Sequence, residues 1–184
     1  MLGVVPLIVV VLLAAVGCVP TGERPVLTDE HIDDVAPVAS RTCSPPAGPF
    51  ERFGTAVVRV DRPEGAVDRC VLVADTFELR ARGLMEVPDL GDYDGMLFAF
   101  AEDSLGGFWM ANTVMSLSIA FIDGGGQVVA AFDMDPCPDS VDCPSYEPDS
   151  AYRWAVEVPQ GGLAGFGLTP GASLDVTTLP GAIE

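Results

Sequence analysis

Lysine is absent from the 184 residues and histidine occurs once. The cations are nine arginines against 27 acidic residues, a formal net charge of −18. A surface of that sign repels phosphate backbones, so nucleic acid is not an expected partner. The single histidine, His31, sits in a proline-rich polar stretch, where it reads as a solvated linker residue. A Ser-His-Asp or Cys-His catalytic set would have to borrow it from there. Glycine-rich phosphate-binding motifs are missing too, since Gly124–Gly126 reads as a hairpin turn. Internal repeats are not evident, and no apolar run reaches the roughly 20 residues of a membrane-spanning helix.

What is present begins with an uncharged segment, residues 1–17, MLGVVPLIVVVLLAAVG. It is short for a membrane span and fits the apolar region of a secretory signal, although only the terminal amine supplies the positive charge such signals carry. Ala15-Val16-Gly17-Cys18 resembles a lipobox, after which Cys18 would be the lipidated first residue of the mature chain. Two or more acyl chains hold a protein firmly on a bilayer where one does so only marginally. The expected partner is therefore a membrane, reached through the lipid on Cys18, and the expected location is the outer face of the cytoplasmic membrane or another extracytoplasmic membrane surface. Residues 18–53 read as the lipidated cysteine and a flexible tether, 54–178 as one β-rich domain and 179–184 as a short tail.

Five cysteines in an exported chain divide into Cys18 and four available for pairing. Cys137 and Cys143 bracket a short interval of an acidic loop and are expected to close it, which leaves Cys43 with Cys70. Zinc is the alternative for Cys137 and Cys143, but a structural site wants four Cys or His ligands and only His31 is on offer. The same loop carries Asp133, Asp135, Asp139, Asp142, Glu147 and Asp149. The EF-hand template fails there: counted from Asp133, its fifth position is Cys137, its glycine position is Pro138 and its twelfth is Pro144. A solvated acidic loop is the simpler reading, and neither a metal nor a cofactor is expected.

Within the domain, Ala56–Val60 and Cys70–Val73 are short β-branched runs joined by a turn-like Arg62-Pro63-Glu64-Gly65. Asp75-Thr76-Phe77-Glu78 has the form of a capping box opening a helix, with Phe77, Ala81 and Leu84 on one face. Met96–Phe100 reads as a strand. Gly107–Asp123, GFWMANTVMSLSIAFID, is the stretch around which the rest is organised. Phe108, Trp109 and Met110 put large apolar groups on both faces of a strand, and Asn112 and Thr113 interrupt them. Leu117, Ile119 and Phe121 then alternate with Ser116, Ser118 and Ala120. The Asp123–Gly126 turn leads into Val128, Ala130 and Phe132 as a hairpin partner. Tyr152, Trp154, Val156 and Val158 alternate with Arg153, Ala155 and Glu157, a short helical piece falls within Gly161–Gly167, and Ser173–Thr177 closes the chain. Seven or eight short strands with one or two short helices predict a mainly β fold, a small β-sandwich or partly open barrel.

These motifs resemble those of domain-of-unknown-function family 192. They are Ala74-Asp75-Thr76, Arg80, Gly83-Leu84-Met85, Gly95-Met96-Leu97-Phe98-Ala99-Phe100, Phe108-Trp109-Met110-Ala111-Asn112-Thr113 and Ile119-Ala120-Phe121-Ile122-Asp123, in family order over about Gly54 to Thr177. The chain departs from the pattern at Ser116-Leu117-Ser118-Ile119, where the family usually has Pro-Leu-Asp-Ile. It departs again at Val87, where an arginine is frequent, and at Gly161–Ala164, which lacks a common tryptophan. The family has no established activity, so the resemblance implies an architecture and no mechanism.

Six polar or amphipathic residues set within apolar motifs are the candidate ligand-groove residues: Arg80, Arg82, Trp109, Asn112, Thr113 and Asp123. The plain reading makes Trp109 core packing and Asn112 a backbone-holding side chain. The alternative has Phe108 and Met110 facing the core while Trp109 and Asn112 line a groove reached by an arginine of the helix. The functional expectation is a membrane-anchored lipoprotein with a non-catalytic accessory or small-ligand-binding domain. A carboxylate-dependent hydrolase and a structural envelope component are the alternatives.

Overall fold

The computed structural model describes residues 41–138, 142–175, 177 and 179. The apolar segment 1–17, Cys18, His31, Asp139 and the last residues of the tail lie outside the described residues. A 3₁₀ turn at Gly48–Phe50 precedes nine strands and two helices: β1 (Gly54–Asp61), β2 (Val67–Ala74), α1 (Phe77–Arg82), β3 (Gly95–Ser104), β4 (Phe108–Trp109), β5 (Leu117–Ile122), β6 (Val128–Met134), β7 (Ser145–Tyr146), β8 (Tyr152–Pro159), α2 (Leu163–Phe166) and β9 (Ser173–Leu174). Among the described residues, no helix is long and apolar enough to cross a membrane.

Seven strands form one sheet in the order β6-β5-β8-β3-β2-β1-β9, while β4 and β7 pair separately. All pairings in the large sheet are antiparallel except β2 with β3. A parallel pair needs a crossover, and here the crossover carries α1 and lays it on one sheet face. The two ends of the sheet approach each other. Gln127 before β6 bridges to Ser173 of β9, and the Leu174 N–H donates to the Gly126 carbonyl at 2.9 Å. The sheet is thus a curled half-barrel, and the fold is mainly β as the alternation predicts.

Curling gives the sheet two different faces. Val58, Val71, Leu97, Ile122, Trp154, Val156 and Val158 fill the inside of the curl, where Val128 and Leu174 from its two ends also pack. The other face carries Leu72, Met96, Phe98, Ile119, Phe121 and Ala155. It is roofed by Leu84, Val87, Leu90, Met110, Phe50 and Phe53 from the loops and the crossover. The Gly95–Ala99 half of β3, together with β5 and β8, therefore has both faces covered. Gly95, at the start of β3, fits because a Cβ there would come within 2.5 Å of the Glu157 carbonyl on the neighbouring strand.

Four local expectations are corrected. The cap of α1 is Thr76, not Asp75: its Oγ1 accepts from the Leu79 N–H at 3.2 Å, leaving Glu78 in the first turn. Phe77 does not join a buried helix face but stands 75% exposed. Beyond Trp109 the expected strand gives way to an irregular corner, and the β8 alternation does not mark a half-solvated strand, because Ala155 and Glu157 are as buried as Trp154 and Val156.

Both expected cysteine pairs sit at disulfide distance, Cys43 with Cys70 (Cα atoms 5.4 Å apart) and Cys137 with Cys143 (5.9 Å).

Candidate functional site

The site grows out of two neighbouring irregularities on the roofed face. On β3 the register against β8 shifts between Ala99, opposite Trp154, and Ser104, opposite Tyr152. The extra residues bow β3 away, so that Phe100 and Ser104 face an opening rather than a packed strand. On the other side α1 ends at Gly83, whose φ of +46° turns the chain back beside the Phe98 ring. Between them lies a cavity of about 300 Å³. One wall is α1 and the turn after it, from Phe77 to Met85. The opposite wall is the Ser104–Trp109 segment, and Phe98, Phe100, Tyr152, Thr113 and Glu157 complete the lining.

Phe108 and Trp109 divide the work of β4 by ordinary strand alternation. Phe108 turns inward and meets Phe98, Phe100 and Phe121 edge-on, with ring centroids 4.9, 6.5 and 5.4 Å away. Trp109 turns outward and remains 59% exposed on the groove wall. It is not core packing. The segment is held from behind by the Cys137–Cys143 loop: Asn112 N–H donates to the Cys137 carbonyl at 2.9 Å, Cys137 N–H donates to that of Thr113 at 3.2 Å, and β7 from the same loop pairs with β4.

Of the six candidate residues, the fold brings Arg80, Arg82, Trp109 and Thr113 to this groove. Arg80 donates through Nη1 to the carbonyls of Asp75 (2.6 Å) and Ala99 (2.9 Å), and its guanidinium lies 4.7 Å from the Phe100 ring centroid. Arg82 pairs with Glu86 at 3.0 Å in an exposed contact that contributes little to stability. Thr113 is buried, with its hydroxyl 3.4 Å from the Ala111 carbonyl. Asn112 and Asp123 do not line the groove. Asn112 is exposed and occupies the left-handed region at φ +56°, so it serves as a backbone corner. Asp123 caps the β5–β6 turn, its Oδ1 accepting from the N–H groups of Gly125 and Gln127 at 2.9 Å each.

One residue that sequence reasoning missed dominates the chemistry. Glu157 is 5% exposed, on the strand between β3 and β5, where its cross-strand partners are the apolar Met96 and Ile119. Among the described residues it has no hydrogen-bond donor and no cation partner, and it borders the cavity. Burial pushes its carboxyl up from 4.5 to about 8, so at neutral pH it is mostly protonated. The available signal was a lone acid inside the apolar run Trp154–Val158. Tyr152, also missed, anchors the far end: its hydroxyl donates to the Gly106 carbonyl at 2.7 Å, and burial raises its pKa against the opposing effects of the Ser104 hydrogen bond and the Arg80 charge. Among the described residues, no cluster of three or more His, Cys, Asp or Glu is placed to hold a metal ion.

Fold and groove define a small curled-sheet β domain with an aromatic-walled recess above a buried acid. The chain belongs to domain-of-unknown-function family 192, DUF192, described as "Uncharacterized ACR"; the family profile matches residues 59–176. No curated protein matches it. Two of the solved structures that share the fold are informative. One, a protein of unknown function from Novosphingobium aromaticivorans DSM 12444, is 25% identical over 74% of this chain and 98% of that one, with a TM-score of 0.62. The other, from Sinorhizobium meliloti 1021 and described as a candidate transcription regulator, is 26% identical over 67% of this chain and 94% of that one, with a TM-score of 0.58.

Proposed function

We propose that this protein is an exported lipoprotein, anchored through Cys18 at an extracytoplasmic membrane surface, whose β domain binds a small ligand in the groove between α1 and β4. One observation carries the binding reading. Two large aromatic side chains, Phe77 and Trp109, stand mostly in water on facing walls of a cavity lined chiefly by aromatic rings, with Glu157, Thr113 and Arg80 among its polar groups. Exposed aromatics rimming a recess with a few polar groups are how proteins present a small-molecule site. The anchoring reading is supported by the uncharged segment that ends in Ala15-Val16-Gly17-Cys18, and by paired cysteines, which suit an oxidising compartment.

A hydrolase working through paired carboxylates is less well supported, because Glu157 is the only carboxylate among the described residues that line the groove. The regulator description of the Sinorhizobium protein does not carry over, since a net charge of −18 opposes DNA. The test is an unbiased thermal-shift screen on the full chain in detergent, repeated on Trp109→Ala. A ligand of the groove raises the melting temperature of the parent and not of the variant. Mass spectrometry of the membrane fraction tests the anchor: a diacyl or triacyl Cys18 at the mature N-terminus is expected, and an unmodified Cys18 contradicts it.

A further inference from the structure

Glu157 is a buried acid for which the fold supplies no partner. Its strand neighbours Met96 and Ile119 are apolar, and it has neither donor nor cation among the described residues. Arg80 does not fill that role, being committed to two backbone carbonyls and the Phe100 ring. What Glu157 does border is a cavity whose walls include six aromatic rings, Phe77, Phe98, Phe100, Phe108, Trp109 and Tyr152. An unpartnered polar group nine-tenths buried against an open cavity is completed by whatever enters that cavity.

We propose that the groove takes a small organic ammonium ion, a primary or secondary amine with an apolar body, its N–H groups donating to the Glu157 carboxylate and its body lying against Phe77 and Trp109. This rests on the groove being a ligand site and adds the class of ligand. An ammonium group provides both the charge that permits Glu157 to ionise in a dry setting and the donors its oxygens lack. The ring faces attract a cation as well, and a net charge of −18 concentrates cations around the molecule. The two cations that line the cavity are already engaged, Arg80 with the Asp75 and Ala99 carbonyls and Arg82 with Glu86, which leaves Glu157 as its unpartnered polar group.

Proton balance follows. In the free protein at neutral pH the Glu157 carboxyl holds its proton; on binding, the ammonium replaces it and the proton leaves to buffer. The other titratable residues lining the cavity are Arg80 and Arg82 from α1 and Tyr152 from β8, while those contributed by β3 and the Ser104–Thr113 segment are not titratable. Burial keeps the Tyr152 hydroxyl neutral near pH 7, so the released proton is that of Glu157.

The experiment uses three probes of nearly one shape: benzylammonium, benzyl alcohol and benzoate, each titrated calorimetrically into the full chain at pH 7 in two buffers of different ionisation enthalpy. Benzylammonium is expected to bind with release of up to one proton, at least tenfold more tightly than either other probe. Glu157→Gln should weaken it at least tenfold and abolish the proton release, with Trp109→Ala weakening all binding and circular dichroism confirming that both variants are folded. Equal binding of alcohol or benzoate, or benzylammonium binding unchanged in Glu157→Gln, overturns the ammonium assignment. If such binding is lost in Trp109→Ala, the groove itself stands. No response to any of the three overturns the assignment, and an empty result in the wider screen takes the groove reading with it.

Discussion

The backbone N–H of Glu86 donates to the carbonyl of Asn112 at 2.8 Å, and both residues hold left-handed conformations, at φ +61° and +56°. That single hydrogen bond joins the turn after α1 to the corner after β4, the two segments that carry the facing walls of the groove. Non-glycine residues in this region cost about 1–2 kcal/mol each, with asparagine among the best tolerated. The groove is therefore held open by a backbone strut, and the Asn112 side chain itself is free of the cavity.

Asn112→Ala should accordingly cost about 1 kcal/mol, and Asn112→Gly close to nothing, in urea melts. A loss of 3 kcal/mol in both variants would instead mean that the amide side chain is structural.

Trp109→Ala should be mild for stability, about 1 kcal/mol or less, because most of the ring already meets water. The same truncation at a buried aromatic such as Phe98 should cost about 3–5 kcal/mol. Chemical denaturation of the two variants side by side separates wall from core.

Cys143→Ser opens the loop that braces β4. Chain-entropy reasoning puts the loss at about 2–3 kcal/mol for a loop this short. Peptide mapping without reduction should recover Cys43–Cys70 and Cys137–Cys143 from the parent. Hydrogen exchange in Cys143→Ser should rise at Asn112, whose amide bonds to the Cys137 carbonyl.

Much of this architecture was legible in the chain. Period-two alternation marked β5 and β6, and the Asp123 turn between them, because large Leu117, Ile119 and Phe121 alternate with small Ser118 and Ala120, although all of β5 is buried and only β6 is partly exposed. The helix between β2 and β3 showed through its cap, although the capping side chain proved to be Thr76, one residue later. What sequence could not reveal depended on neighbours in space. Alternation placed Glu157 with Arg153 on a solvated face. Only the topology, which sets β8 between β3 and β5 under the crossover, buries it. Trp109 was ambiguous for the same reason: a two-residue strand has no period to read, and its outward turn is decided by Phe108 entering the ring cluster. Asp123 stood out as a polar residue in an apolar motif, but turn-forming aspartates carry that signature as well.

Stability should depend on pH through Glu157. Its folded pKa lies above the unfolded value, so the native state holds the proton more tightly. The stabilisation is full below about 4.5 and is lost as pH rises toward about 8. Across that window the parent should lose up to about 1.4 kcal/mol per pH unit relative to Glu157→Gln, which carries no titrating group there. Parallel pH profiles for the two proteins would contradict this.

The most direct test of a buried, unpartnered acid at a ligand site is the titration of Glu157 itself, followed through its side-chain carboxyl ¹³C resonance without and with benzylammonium. In the free chain the midpoint should lie near 8, well above the ordinary 4.5, and it should fall when the amine is bound, because the ammonium favours the ionised form. A free-chain midpoint near 4.5, or a raised midpoint that saturating amine leaves unmoved, would contradict the assignment of Glu157 as the group that receives the ligand.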